Sequence, residues 1–316
     1  MRYLFFFILT LSSLSLFAQE RTDPKNQSEE LGTVSWYRDY QQALSLSKKE
    51  NKPVLILFQE VPGCSTCRNY GHNVLSNPLM IDAIENEFIP LAIYNNKGGK
   101  DREVLNLYKE PTWNNPVVRI VDANGKNIAT RVAGNYSAKG LYNAMLQALK
   151  KSEKDIPKYM EILGKEISAA SSPKLKEEYY KMYCFWTGEG QLGSVDGVLS
   201  TKAGFMNGEV VKVTYDSNIV SSDDLESFAI KRQMQHVPAS NFRHSQKDED
   251  YYLQHSAFKY IPLTEIQRTK INSALINKQN PLQYLSPSQV NWIKNKKSKE
   301  VLFNQDFKKG WASLSN

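Results

Sequence analysis

The cysteine pair Cys64 and Cys67 constrains the fold of this chain more than any other sequence feature. The pair directly follows the apolar run Val54–Phe58, which ends before Pro62 and Gly63. A short apolar run that ends at turn-forming residues predicts a buried strand. A helix that begins at the motif would hold the Cys64 sulfur at its positive end, where the helix dipole favours the thiolate. The spacing therefore predicts reversible disulfide chemistry at the end of a buried strand.

Two other interpretations of this pair remain open at the level of sequence. A structural disulfide across two residues closes only a very short loop and adds little stability. A zinc site needs further ligands, and the four histidines of the chain have no metal-ligand spacing. We therefore predict no metal and no cofactor.

Length and charge limit the class of protein. A chain of 316 residues predicts two domains, and a hydrophobic share of 41% is enough for real cores. The formal charge is +7, but lysine and arginine are spread along the chain among 33 acidic residues. This distribution predicts a solvated basic surface and no nucleic-acid partner. Three cysteines are too few for a disulfide scaffold.

The first residues predict export. Arg2 precedes an apolar core that runs from Leu4 to Phe17, and Ala18 supplies a small residue at the cleavage position. This pattern is typical of a secretory signal peptide over residues 1–18 and is short for a membrane-spanning helix. We expect a periplasmic or secreted protein with no integral membrane segment after signal removal. The polar stretch 19–33 is predicted to be disordered.

The residues around the cysteine pair predict alternating strands and helices. The predicted elements are strands at 54–58, 88–94 and 116–121, a hairpin partner at 128–132 and a closing helix at 141–149. This order, together with the Cys-x-x-Cys motif and Asn115-Pro116 before the third strand, resembles the thioredoxin superfamily over about residues 34–150. The phrase from Val61 to Thr66 also resembles a subgroup in which selenocysteine follows Val-Pro-Gly.

This resemblance implies a mechanism and a substrate-binding residue. Cys64 would attack a substrate disulfide as a thiolate, and Cys67 would resolve the mixed disulfide. Pro116 would be preceded by a cis peptide bond and would lie against the motif, where an extended substrate can pair with its backbone. Two departures stand out. The tryptophan usually found near the first cysteine is missing, and Glu60 is the nearest candidate for the buried acid that the first strand lacks.

A second series of residues surrounds the remaining cysteine, Cys184. It comprises Phe185, Trp186, Glu189, the run 197–208 and Glu209. The series resembles the A-type peptide methionine sulfoxide reductases, whose signature is Gly-Cys-Phe-Trp followed by Gly-Val-x-Ser-Thr-x-Ala-Gly-Tyr-x-Gly-Gly and a later glutamate. The resemblance covers residues 178–262 and implies a two-layer α/β domain.

The second resemblance implies a role for each of five residues. Cys184 would be the nucleophile that attacks the sulfoxide sulfur and becomes a sulfenic acid. Phe185 and Trp186 would wall the pocket for the substrate methyl group, and Phe205 stands where the family has a substrate-binding tyrosine. Glu209 would donate the proton to the sulfoxide oxygen.

Several departures weaken this second resemblance. Tyr183 replaces the glycine before the nucleophile, and Phe205 lacks the hydroxyl of the family tyrosine. Tyr251 and Tyr252 are nearby candidates for a replacement hydroxyl. An inert domain that is kept for structure or binding therefore remains an open alternative.

The sequence predicts an α/β and α+β organisation. It consists of a signal peptide at 1–18, a thioredoxin fold at 34–150, a helical linker at 151–177, a methionine sulfoxide reductase A-like domain at 178–262 and a helical C-terminal extension at 263–316.

We expect an exported oxidoreductase that reduces peptide methionine (S)-sulfoxide at Cys184. The Cys64/Cys67 dithiol would be its tethered reductant, because no resolving cysteine lies near Cys184. The expected partners are proteins or peptides with oxidised methionine or disulfides, and a thiol electron donor that the sequence does not identify. The alternatives are a general thiol–disulfide oxidoreductase whose degenerate second domain binds substrate, and a non-enzymatic scaffold.

Overall fold

The computed structural model describes residues 21–113, 115–172 and 174–315. The described residues contain a four-stranded and a five-stranded β-sheet, with helices packed against both. No helix in these ranges is both long and apolar enough to cross a membrane. The predicted signal peptide at residues 1–18 lies outside them.

The first sheet has the strand arrangement predicted for a thioredoxin fold. Its region consists of α1 (Tyr40–Glu50), β1 (Val54–Gln59), α2 (Ser65–Asn73), α3 (Pro78–Glu87), β2 (Ile89–Tyr94), α4 (Gly99–Leu107), β3 (Val117–Val121), β4 (Val132–Ala133) and α5 (Ala138–Lys151). The strand order is β2-β1-β3-β4. Strands β1 and β2 are parallel, and β3 is antiparallel to both β1 and β4. The predicted fold class is confirmed for this region.

Strand β1 is the centre of this region because both of its faces are buried. Leu55 and Leu57 belong to one apolar cluster, whereas Ile56 and Phe58 belong to another on the opposite face. Side chains alternate between the faces of a strand, so a continuous apolar run fits a sheet that is covered on both sides.

The hairpin partner of β3 is shorter than predicted. Of the predicted range 128–132, only Val132 belongs to strand β4, where it pairs with Val118. The Ile128 N–H donates to the Ile120 carbonyl at 3.0 Å, and the chain then leaves the sheet before it returns at Val132.

The prediction of disorder is wrong for the described part of the N-terminal stretch. Arg21 forms an isolated bridge with Tyr37, and residues 29–31 form a 3-10 helix. Leu31 is 1% exposed, and its carbonyl accepts a 2.9 Å hydrogen bond from the Trp36 indole. The stretch is polar on average, but single residues such as Leu31 are buried in the core.

The second sheet is antiparallel throughout. Its region consists of α6 (Lys158–Ala169), β5 (Leu175–Lys181), α7 (Phe185–Gly193), β6 (Val198–Phe205), β7 (Glu209–Asp216), α8 (Ser222–Ile230), β8 (Gln235–Val237), β9 (Arg243–His244) and α9 (Tyr251–Gln254). The strand order is β8-β5-β7-β6-β9. Met206, Asn207 and Gly208 connect β6 to β7, and the last two have positive φ, as a short hairpin loop requires.

The C-terminal residues are helical, as predicted. They form α10 (Glu265–Ile276), α11 (Pro287–Lys294) and α12 (Phe307–Leu314). The Ser288 N–H and hydroxyl both donate to the Asp82 carboxylate of α3, at 2.9 and 2.7 Å. Trp292 and Trp311 belong to the same apolar cluster as Leu55. The C-terminal helices therefore pack against the first region and are part of one continuous core.

Candidate functional site

Cys64 and Cys67 lie at the start of α2, directly after the central strand. Cys64 is exposed and is the N-cap of the helix, whereas Cys67 is fully buried in its first turn. Both are free thiols, and their sulfurs are 3.6 Å apart. An exposed sulfur above a buried one is the arrangement in which the outer residue attacks and the inner residue resolves.

The pKa values of the two thiols are shifted in opposite directions. The backbone N–H of Cys67 hydrogen-bonds to the Cys64 sulfur and lowers the pKa of Cys64. Burial raises the pKa of Cys67 to about 12. Helix α2 also stabilises a thiolate at its N-terminus. Cys64 is therefore the thiol that ionises more readily, and Cys67 is the one that keeps its proton.

The loop before Cys64 folds tightly over Cys67. A Cβ atom added to Gly63 would lie 2.4 Å from the Glu60 carbonyl oxygen and 2.8 Å from the Cys67 Cβ, so only glycine fits. The Gly63 N–H donates to the buried Glu30 carboxylate at 2.7 Å, and the Arg68 guanidinium donates to the Gly63 carbonyl at 2.7 Å. Glycine at position 63 therefore lets this loop pack against Cys67.

Two carboxylates border this site. A Glu60 carboxylate oxygen and the sulfurs of Cys64 and Cys67 all lie within 4.8 Å of one another. Glu30 anchors the loop from the N-terminal segment. Sequence reasoning included Glu60 but missed Glu30, because the segment that contains Glu30 was predicted to be disordered.

Pro116 lies at the same edge of the sheet as the cysteines. It precedes Val117, which pairs with Phe58 at the end of β1. The peptide bonds before Pro62 and Pro116 are both cis. The Asn96 amide donates to the Pro62 carbonyl at 3.3 Å.

A second hydrogen bond ties the Pro116 loop to the end of β2. The Asn95 amide donates to the Asn115 side chain, and Asn95 directly precedes Asn96. Both proline loops are therefore held at the end of β2, beside the start of α2.

Cys184 is positioned in the same way in the second sheet. It is the half-buried N-cap of α7, directly after β5. The Thr187 hydroxyl donates a weak hydrogen bond to the Cys184 sulfur over 3.7 Å. The Glu209 carboxylate accepts the Phe185 N–H at 2.7 Å, so it lies at the first turn of α7 beside Cys184.

Aromatic rings surround this helix N-terminus. The Phe185 and Phe205 rings meet edge to face at 5.4 Å between centroids. Trp186 stacks on Tyr251 at 4.0 Å with an interplanar angle of 17°. The fold therefore brings together the five predicted residues of this site and adds Tyr251, which covers one face of Trp186.

Buried carboxylates hold the segment that precedes Tyr251. Glu189 accepts the N–H groups of Ala203 and Asp250 at 3.0 and 2.9 Å. Burial, reinforced by the neighbouring Asp250 charge, raises the pKa of Glu189 well above its ordinary value. Burial also raises the pKa of Asp250 to about 7, although the Arg268 guanidinium lies 2.9 Å away. These groups fix the start of α9, which carries Tyr251.

A cavity lies next to Phe205. A cavity of about 600 Å³ is lined by Phe205, Met206, Asn207, Ser240, Asn241, Phe242 and Arg243. It opens beside the β6–β7 hairpin and has room for a side chain of an approaching peptide.

Comparison with known proteins gives a family match for the first region and a similarity to a curated protein. Residues 35–123 match a family model described as thioredoxin-like. A peptide methionine sulfoxide reductase MsrA from Methanococcus maripaludis (strain C7 / ATCC BAA-1331) is 41% identical over 64 aligned positions. The match covers 15% of this chain and 41% of that protein, so the chain spans less than half of the length of this curated relative.

Two solved structures match this chain over most of their own length. A DsbH oxidoreductase matches 42% of this chain and 92% of its own, with 18% identity and a TM-score of 0.32. A thioredoxin from Thermus thermophilus matches 44% of this chain and 93% of its own, with 15% identity and a TM-score of 0.27.

The family match, the topology and the dithiol define the class of the first region. The chain carries a thioredoxin-like domain with a free Cys-x-x-Cys pair. It also carries sequence similarity to peptide methionine sulfoxide reductases. Both similarities support a thiol-dependent redox function.

Proposed function

We propose that the protein is an exported methionine sulfoxide reductase that contains its own dithiol reductant. Cys184 reduces peptide methionine (S)-sulfoxide, and the Cys64/Cys67 pair removes the oxidation from Cys184. The observation that carries the proposal is the hydrogen bond from the Phe185 N–H to Glu209, because it places a carboxylate next to the nucleophile.

The first step reduces the substrate. The Cys184 thiolate attacks the sulfoxide sulfur, and Glu209 donates a proton to the sulfoxide oxygen. The sulfur–oxygen bond breaks, methionine leaves, and Cys184 retains the oxygen as a sulfenic acid. Phe185 and Phe205 supply the apolar surface for the substrate methyl group.

The second step regenerates Cys184. Thr187 occupies the position where a resolving cysteine would stand on α7, so reducing equivalents come from elsewhere. The Cys64 thiolate attacks the Cys184 sulfur, and a Cys64–Cys184 mixed disulfide forms as the sulfur–oxygen bond breaks. The hydroxide that is expelled takes a proton from solvent and leaves as water. Cys67 then attacks Cys64, gives its proton to Glu60 and frees the Cys184 thiolate. An external thiol donor reduces the resulting Cys64–Cys67 disulfide.

A single-turnover experiment tests this proposal. The pre-reduced protein is mixed with a peptide that contains methionine (S)-sulfoxide, and methionine formation is followed by chromatography. We expect product from the wild type and from Cys67→Ser, and none from Cys184→Ser. Product from Cys184→Ser, or none from the wild type, would contradict the role of Cys184.

A mixing experiment tests whether the dithiol acts within the chain. Helix α6 contributes Tyr159, Met160, Ile162 and Leu163 to the core, so it is not a free flexible spacer. Cys184→Ser is mixed with a Cys64→Ser variant under turnover conditions. We expect no restored turnover, because the intact dithiol and the intact Cys184 then lie on separate chains. Restored turnover would mean that the dithiol of one chain serves Cys184 of another.

One observation favours a second candidate function. Tyr251 covers one face of Trp186, which the resemblance assigns to the methyl pocket. If this stacking closes the pocket, the protein is a general thiol–disulfide oxidoreductase whose second region binds substrate. That function predicts insulin disulfide reduction that persists in Cys184→Ser and is lost in Cys64→Ser.

The proposal of export has its own test. It is supported by the charged and apolar pattern of residues 1–18. Fractionation of cells that express the full-length chain, with N-terminal sequencing of the product, should find the protein outside the cytoplasm and beginning near Gln19. A full-length product in the cytoplasm would contradict export.

A further inference from the structure

Three potential metal ligands converge at the first site. A carboxylate oxygen of Glu60 and the sulfurs of Cys64 and Cys67 lie within 4.8 Å of one another. Among the described residues, no other group of three or more histidine, cysteine, aspartate or glutamate side chains is as close. The histidine spacing argued against a zinc site at the level of sequence, where Glu60 was not recognised as a ligand beside the two thiols.

The separation of the sulfurs fits a tetrahedral ion. Zinc–sulfur bonds of about 2.3 Å at a tetrahedral angle hold two sulfurs about 3.8 Å apart. The Cys64 and Cys67 sulfurs are 3.6 Å apart before any ion is bound. A zinc-bound carboxylate oxygen at about 2.0 Å lies about 3.5 Å from each sulfur. Glu60 is half-buried, and rotation of its side chain closes the remaining distance.

The surrounding loop holds the donors in place and leaves an entrance. Gly63 allows residues 60–63 to fold over Cys67, and Glu30 and Arg68 fix that loop through the Gly63 backbone. Cys64 is exposed, so an ion reaches the site from solvent. Three protein ligands with one open position are also the ligand count of catalytic zinc sites.

We propose that Glu60, Cys64 and Cys67 form a binding site for a thiophilic divalent cation, with Zn²⁺ as its representative. The site exists only in the dithiol state. Binding replaces the two thiol protons, which are released to solvent. When an external disulfide oxidises the pair, that disulfide takes up two electrons from the sulfurs and two protons from solvent and becomes two thiols. The Cys64–Cys67 disulfide forms and the ion leaves.

This proposal does not depend on the activity of Cys184. The ion would occupy the sulfurs that exchange disulfides, so it would protect the reduced pair and inhibit exchange. Insulin reduction by the pre-reduced protein should slow as Zn²⁺ is added and recover when a chelator removes the ion.

Metal titration tests the site directly. The reduced full-length protein is titrated anaerobically with Zn²⁺ against a chromophoric chelator, and with Co²⁺ while the near-ultraviolet thiolate-to-cobalt absorption is recorded. We expect one ion per chain in the wild type and in Cys184→Ser. Cys67→Ser and the oxidised protein should lose the cobalt absorption.

The carboxylate is tested with a matched pair of variants. Glu60→Gln should weaken Zn²⁺ binding at least about tenfold, because loss of even an outer-shell partner of a metal ligand costs about 10–100-fold. Glu103→Gln changes an exposed carboxylate on α4 and should bind as the wild type does. Equal affinity of Glu60→Gln and the wild type, absence of binding by the reduced protein, or equal binding by the oxidised protein would each overturn the three-ligand site.

Discussion

Cys64 and Cys184 occupy the same local position in two different sheets. Each follows a strand and is the N-cap of a nine-residue helix. One turn later the first helix has Cys67, whereas the second has Thr187. A sulfur at that position can form and break a disulfide, but a hydroxyl can only donate a hydrogen bond. The second site therefore lacks, one turn into its helix, the sulfur with which the first site can form a disulfide.

The carboxylates of the two sites also differ. Glu209 is held by the Phe185 N–H at the start of its helix, so its position is fixed by the backbone. Glu60 lies within 4.8 Å of both sulfurs and faces the thiols themselves. The first arrangement suits proton donation to a bound substrate, and the second suits proton exchange with the cysteines.

The largest effect is expected for the acid of the second site. Glu209→Gln removes the proton donor and keeps an oxygen that can accept the Phe185 N–H. We expect the single-turnover rate on methionine (S)-sulfoxide to fall about 10²–10⁴-fold. Glu177→Gln, on the neighbouring strand β5, is the control and should keep the rate. A normal rate in Glu209→Gln would remove the catalytic role of Glu209.

The resolving residue of the first site has the next effect. Cys67→Ser should complete one turnover and then stop with a Cys64–Cys184 mixed disulfide, which reduces steady-state activity at least about 100-fold. Non-reducing peptide mapping identifies the trapped bond. Normal steady-state turnover of Cys67→Ser with a protein thiol donor would disprove the tethered reductant.

Thr187→Cys gives the second site the Cys-x-x-Cys motif of the first site. A cysteine one turn after Cys184 should form a disulfide within α7 and let a small dithiol reduce it directly. In the Cys67→Ser background we expect this change to raise the steady-state turnover at least about tenfold. Thr187→Ser is the control and should restore none. Failure to form the bond would show that the two helix starts differ in geometry.

The smallest effect concerns the buried acids under the second site. Asp250 has an ordinary pKa of 3.8 and a pKa of about 7 in the folded protein, because it is buried. The folded state therefore binds more protons than the unfolded state between about pH 4 and 7. The free energy of unfolding should fall as the pH rises through that range.

Comparison with Asp250→Asn isolates this contribution. We expect a shallower pH dependence of urea unfolding in Asp250→Asn, although Glu189 still contributes in the same direction. Glu103→Gln should keep the slope of the wild type. An unchanged slope in Asp250→Asn would mean that Asp250 is ionised throughout this range.

The sequence indicated both cysteine sites but not all of the residues that contact them. The motif of Cys64 and Cys67 and the spacing from Cys184 to Glu209 are local patterns, so they are visible without a structure. Glu30 was missed because it reaches Gly63 across 33 residues, and no local pattern records such a contact. Tyr251 was noted only as a nearby hydroxyl, yet its ring stacks on Trp186.

The sequence by itself determined the main strands and helices of the first region and the positions of the two cysteine sites. Apolar periodicity, turn residues and helix starts each involve a few neighbouring residues, so they can be recognised in short stretches of sequence. Only the tertiary structure decided which carboxylates face each sulfur and that α6 and the C-terminal helices belong to the core. Those facts depend on burial and contact between distant segments, such as the bond from Ser288 to Asp82, whose energy exists only after the chain has folded.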